Sequence, residues 1–158
     1  MNGLNSGEDV ALTHPRFKTT LFLLTLIGIL FLVYANGLNT PFQSDDERHI
    51  VINPNIDNPK FYLNSKYITY RHINNLIFSL NYQWSQKKPF GYHLLNLLIH
   101  IFTVILIFFL TSLTIKNSTE WGEQGAIKIA MITASLFGLH PIHTETITYI
   151  SGRPGGLA

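Results

Sequence analysis

YHLLNLLIHIFTVILIFFLTSLTI, residues 92–115, contains no aspartate, glutamate, lysine or arginine. As a helix rising about 1.5 Å per residue, a run of this length crosses a hydrocarbon layer about 30 Å thick. Reading it as a membrane span decides the class of the molecule, because a soluble domain would have to bury nearly every face of it. Two further blocks point the same way. TTLFLLTLIGILFLVYA (19–35) is free of charge and follows Arg16 and Lys18. AIKIAMITASLFGLHP (126–141) is shorter and holds Lys128 near one end, where a long stem can carry the ammonium to the interface. Of 158 residues, 46% are hydrophobic and 13% charged, about half the share of charge usual in soluble domains. The expected fold class is an all-α integral membrane protein.

Charge and cysteine content exclude several functions. The formal net charge is +2 with the basic residues scattered, so there is no electrostatic footprint for nucleic acid. With no cysteine, disulfide scaffolds, thiolate metal sites and cysteine nucleophiles are absent. The first block also has a reading as a cleaved signal peptide, with Val33-Tyr34-Ala35 as the cleavage site. Its apolar core is long for that, which favours an uncleaved anchor, and Arg16 and Lys18 then hold the N-terminus in the cytoplasm. The expected organisation is a cytoplasmic tail (1–18), span 1 (19–35), a non-cytoplasmic loop (36–91), span 2 (92–115) and a cytoplasmic loop (116–125). Span 3 (126–141) and the start of a second outer loop (142–158) complete it.

Three sets of titratable groups converge on the outer face in this topology. Asp45, Asp46 and Glu47 stand in QSDDERHIVINP (43–54), shortly after span 1. His93, Asn96 and His100 recur at i, i+3 and i+7, one stripe of the span 2 helix starting at the same face. HPIHTE (140–145) supplies His140, His143 and Glu145 beyond span 3. Polar groups in a span are costly and usually face a bundle interior or a wet cavity. In the first outer loop Ile73, Leu76, Ile77, Leu80 and Trp84 follow helical spacing, with Asn74, Asn75, Asn81 and Gln83 opposite. This pattern predicts an amphipathic helix suited to the bilayer interface. Arg71 lies at its start, where a guanidinium can form paired hydrogen bonds to a phosphate. Pro54, Pro59 and NPNIDNP mark a turn-rich segment between the acids and this helix.

Each feature has a plainer reading. The acids could be a solvated loop end, the histidine stripe helix-to-helix hydrogen bonding, and Arg71 a partner of lipid headgroups. HPIHTE could be a proline-ended helix followed by a new one. As zinc ligands, His140, His143 and Glu145 do not match the H-E-x-x-H spacing. Asn117-Ser118-Thr119 matches a glycosylation acceptor but falls in the cytoplasmic loop.

Together, YANGLNTPFQSDDERHIVINP, YRHINNLIFSLNY, PFGYHLLNLLIHI and LFGLHPIHTETITYISGR resemble, in this order, the N-terminal part of the transmembrane and tetratricopeptide-repeat (TMTC-type) protein O-mannosyltransferases and of bacterial relatives. The likeness runs from about Tyr34 to Arg153. It departs from the family pattern at His72, where proline usually follows the tyrosine-arginine pair. It departs again after Gly152-Arg153, where Pro-Gly-Gly-Leu-Ala replaces a segment in which an acidic residue is common. The resemblance implies an N-terminal fragment of a GT-C-type polytopic helical bundle with a helical outer loop, the tetratricopeptide repeats of the family following elsewhere. It implies a polyprenyl-phosphate sugar donor, a protein Ser/Thr acceptor and a site on the non-cytoplasmic face of a bacterial plasma membrane or of the endoplasmic reticulum.

An alcohol is a poor nucleophile at neutral pH, so sugar transfer to a hydroxyl needs a base. Asp45 or Asp46 is the expected base, equivalent on sequence alone. The leaving lipid phosphate needs a preorganised cation. Arg71 and Arg153 are the candidates, and a divalent metal ion is the one cofactor the chemistry invites. Glu145, His140 and His143, with His93 and His100, would form the opposite wall. The competing class is a transporter or scaffold whose His/Asp/Glu groups bind ions or a partner. A transporter site should lie near the midplane between repeated halves, whereas here the charges gather at one face and no repeat is visible.

Overall fold

The computed structural model describes residues 15–43, 45–63, 70–118 and 121–152; the side chains of residues 15, 16, 70–72 and 152 lie outside that description. Six α-helices occur among the described residues: α1 Pro15–Tyr34, α2 Pro59–Leu63, α3 Tyr70–Ser85, α4 Pro89–Ser118, α5 Gly122–Gly138 and α6 His143–Thr148. Short 3₁₀ turns follow α1 (Ala35–Asn39) and α6 (Ile150–Gly152), and a π turn covers Glu47–Val51. No strand occurs among these residues. Two helices, Phe17–Asn39 and Pro89–Ser118, are long and apolar enough to cross a membrane. The chain is an all-α membrane protein. Helix α5 is shorter, at 17 residues, and it ends at Gly138, ahead of Pro141, which cannot continue a helix.

Among the described residues the chain forms two compact units, one lying within 1–32 and 101–139 and the other within 33–100 and 140–158. The first is built from apolar helices. Ala126, Ala130, Ala134 and Gly138 recur every four residues on α5 and are all buried. Small side chains in such a stripe let helix backbones approach closely, which replaces the missing hydrophobic drive between helices in lipid. A Cβ on Gly138 would stand 3.1 Å from Val104 Cγ2 and 3.3 Å from Leu30 Cδ2, so glycine is what lets α5 close on both. Leu26, Leu30, Ile101, Val104 and Phe108 fill the same interior, and Phe22 packs on Phe108 with ring centroids 6.4 Å apart. Leu21, Leu24, Leu32, Phe102, Leu106, Leu110, Ile132 and Leu136 are exposed, which suits helices whose solvent is hydrocarbon.

The second unit holds the loop. Its core is Ile50, Ile56, Phe78, Tyr92 and Ile150, with Phe42 and Tyr82 against it. Phe42 meets Tyr92 edge-on with centroids 5.7 Å apart. Asn53 organises the turn-rich segment: its Oδ1 accepts from Asn55 N at 3.1 Å, and its Nδ2 donates to His49 O at 3.0 Å and Tyr62 Oη at 2.9 Å. Gln86 has φ 50°, the left-handed conformation that commonly ends a helix. Pro89 then opens α4, where its fixed φ suits the first helical position and no N–H is lost.

Helix α3 is amphipathic, and its inward face is the polar one. Asn74, Ser79, Asn81 and Ser85 are buried along with Phe78, whereas Ile73, Leu80 and Trp84 are 52%, 55% and 68% exposed. The buried Ser79 Oγ donates to Ile56 O at 2.7 Å and Asn81 Nδ2 to Gly91 O at 3.4 Å, while the exposed Gln83 donates from Nε2 to Asp57 O at 2.7 Å. A helix that ties a loop together with its polar side and turns its apolar side outward suits the edge of a bilayer, not bulk water.

Candidate active site

Asp45 and Asp46, adjacent in sequence, have opposite environments. Asp46 is 1% exposed. Its Oδ1 accepts from the Ser151 amide at 2.7 Å and the Ser151 hydroxyl at 2.6 Å, and its Oδ2 accepts from Gln43 N at 3.0 Å. Three donors on one buried carboxylate, two of them from a single serine, satisfy it without a cation. Asp45 is exposed, and its Oδ2 lies 3.5 Å from the phenol oxygen of Tyr149, which donates. Burial first, then the negative charges of Asp45 and Asp46, raise the Tyr149 pKa above its ordinary 10.0, so the phenol keeps the proton it offers. Glu47 and Arg48 are exposed; His49 is half-buried, its ring 6.2 Å from that of Phe78.

The histidine stripe of α4 divides into two roles. His93 is buried, with Nε2 2.9 Å from Thr40 O and Nδ1 3.3 Å from Ile147 O. Asn96 Nδ2 donates to Thr146 O at 3.3 Å and Ile147 O at 3.4 Å. Both side chains meet carbonyls in the last turn of α6, where helix carbonyls lack intrahelical partners, and so tie α6 to α4, while His93 also ties in the residue 40 region. His100 instead meets His143, with centroids 4.9 Å apart, and Tyr34 edge-on at 5.7 Å. His140 lies 6.4 Å from His143 and accepts from Ile142 N through Nδ1 at 3.2 Å. Burial, then His100 and His140, lower the His143 pKa from 6.5. Glu145 is exposed on α6.

Among the described residues, no group of three His, Asp or Glu side chains could hold a metal ion. The Arg71 side chain and Arg153 lie outside the described residues.

Sequence reading did not single out Tyr149 and Ser151, which stand in TYISGR (148–153). Two hydroxyl side chains spaced at i, i+2 in one short segment were the available signal. Gly37 was missed too. A Cβ there would stand 2.6 Å from Thr148 Cγ2, so the turn after α1 needs glycine to approach α6.

Comparison with known proteins gives a consistent set of relatives. The chain is 30% identical over 142 residues to the protein O-mannosyl-transferase TMTC3 of Homo sapiens, covering 81% of this chain and 14% of that protein. It is 31% identical over 150 residues to TMTC1 of Homo sapiens, covering 84% and 16%. To the protein O-mannosyl-transferase F38B6.6 of Caenorhabditis elegans it is 28% identical over 145 residues, covering 83% and 20%. The chain thus spans a fifth or less of the length of each of these relatives. No family model and no solved structure matches it.

Proposed function

We propose that this chain, a homologue of the TMTC-type protein O-mannosyl-transferases over most of its length, forms the acidic-loop portion of a membrane glycosyltransferase in which Asp45 is the general base. The donor in this reading is a mannose-type sugar on a polyprenyl phosphate, and the acceptor is a protein Ser/Thr hydroxyl. Asp45 takes the proton as the hydroxyl attacks the anomeric carbon, the bond to the lipid phosphate breaks, and a single displacement inverts the anomeric centre.

The observation that carries the assignment is the asymmetry of the acidic pair. Asp46 already accepts hydrogen bonds on both carboxylate oxygens in a buried position. Asp45 is exposed, so its oxygens can be reached by a substrate proton. Arg71 and Arg153 serve the developing phosphate charge, which a fixed cation stabilises more than water does. Glu145, His140 and the His100–His143 pair line the acceptor side. The N-terminus is cytoplasmic, and residues 36–91 and 142–158 face the opposite compartment. The outward apolar face of α3 supports a loop resting on the lipid surface from which a lipid-linked donor arrives.

The test uses the full-length protein in membranes, with a polyprenyl-phosphate sugar and a Ser/Thr peptide. Asp45→Asn lowers kcat by about 10²–10⁴-fold, the range for loss of a general base. Normal transfer by Asp45→Asn at wild-type expression sinks the assignment.

A further inference from the structure

Ser151 and Asp46 are 105 positions apart in sequence. Nevertheless, both donors of Ser151 converge on one oxygen of Asp46, and a second pair forms between the same two segments, Tyr149 with Asp45. The contact is therefore a two-point clamp between the acidic loop and the TYISGR segment. A buried carboxylate bound by three donors fixes the backbone on which Asp45 sits. The phenol of Tyr149, two residues before Ser151, then reaches the adjacent side chain.

We infer that Tyr149 and Ser151 are positioning residues for the base: Ser151 immobilises Asp46, Asp46 fixes the Asp45 backbone, and the Tyr149 hydroxyl orients the Asp45 carboxylate. This rests on the reading of Asp45 as base. In it, Asp46 never leaves its hydrogen bonds and takes no proton during turnover. The two acids have a division of labour, one anchored and one working. Removing the Tyr149 hydroxyl frees the Asp45 carboxylate to leave its orientation, which lowers kcat with little change in acceptor KM.

The experiment compares Tyr149→Phe, Ser151→Ala, Ser151→Thr and Asp45→Asn in the full-length enzyme, measuring kcat and KM for the peptide acceptor. Ser151→Ala removes one charge-assisted bond and lowers kcat about tenfold or more, with acceptor KM little changed. Ser151→Thr, which keeps the hydroxyl, restores most of the loss. Tyr149→Phe lowers kcat by roughly two- to tenfold, on the order of one weak hydrogen bond, again with acceptor KM little changed. Rates are normalised to folded enzyme, so a smaller folded fraction alone leaves kcat unchanged. Wild-type kcat in both Tyr149→Phe and Ser151→Ala overturns the inference. If Ser151→Ala fails to accumulate, wild-type kcat in Tyr149→Phe alone overturns it. An active Asp45→Asn refutes the parent reading instead, so the two failures are told apart.

Discussion

Replacing Asp46 by asparagine exchanges one carboxylate oxygen for an amide group and should cost far more stability than the same change at Asp45. The carbonyl of the introduced asparagine can still accept from the Ser151 amide and hydroxyl, which reach Oδ1 at 2.7 and 2.6 Å. Those bonds lose their charge assistance, which roughly halves them. The new amide group meets the Gln43 N–H, which reached Oδ2 at 3.0 Å, as donor against donor. With two bonds to a charged group, each worth about 1.5–3 kcal/mol, roughly halved and an unmet buried donor costing about 1–3 kcal/mol, the total is about 2.5–6 kcal/mol. Asp45 is exposed, and a surface change of this kind falls within about 0.5 kcal/mol. In a chain of this size ~1 kcal/mol moves Tm by roughly 2–4 °C. Thermal melts in detergent, followed by helical circular dichroism at matched scan rates, should therefore drop by ~4 °C or more for Asp46→Asn. For Asp45→Asn the drop should stay under ~2 °C. Equal shifts would refute the anchored carboxylate and, with it, the distinction between the two acids.

Three further outcomes are expected. His143 is held below 6.5 by burial, His100 and His140, so between that depressed value and 6.5 the unfolded chain binds the extra proton. The associated stability is complete above pH 6.5 and is lost as the pH falls through the folded-state value. Melting between about pH 7.5 and about 5.5 should fall more steeply in wild type than in His143→Gln, and parallel curves would contradict this. Trp121→Phe leaves Trp84 as the only tryptophan; its fluorescence should be quenched by brominated lipid and spared by aqueous iodide, and the reverse would place α3 away from the bilayer. Because the chain lacks cysteine, Ser44→Cys, Asn117→Cys and Thr144→Cys each introduce a single thiol. An impermeant reagent added outside should label the first and last only, and outside labelling at Asn117 would overturn the topology.

Hydropathy made α4 legible because a charge-free block of that length has few other stable forms, and the alternation of apolar and polar residues outlined α3. Periodicity also divided α3 into an isoleucine–leucine–tryptophan face and an asparagine–glutamine face. It could not say what the polar face would do. The partners of Ser79 and Gln83 are the carbonyls of Ile56 and Asp57, which only the folded turn segment brings within reach. The stripe of His93, Asn96 and His100 was visible as geometry. Its division into carbonyl binders and a ring-stacking member depends on where α6 ends. Asp45 and Asp46 were indistinguishable for a similar reason, since the residue that separates them is Ser151. Local pattern describes neighbours along a helix or strand, while these roles depend on contacts across most of the chain.

The clamp also has a consequence for biosynthesis. Asp46 is made 105 residues before the serine that binds it. At roughly 5–20 residues per second, the ribosome takes about 5–20 s to supply that partner. During that interval Asp46 lacks the two donors that Ser151 supplies, and water takes their place. The pocket around Asp46 is therefore completed only once the TYISGR segment folds against it. A chain in which that contact fails would display an unclosed acidic loop, a local mark by which misassembled copies differ from finished ones.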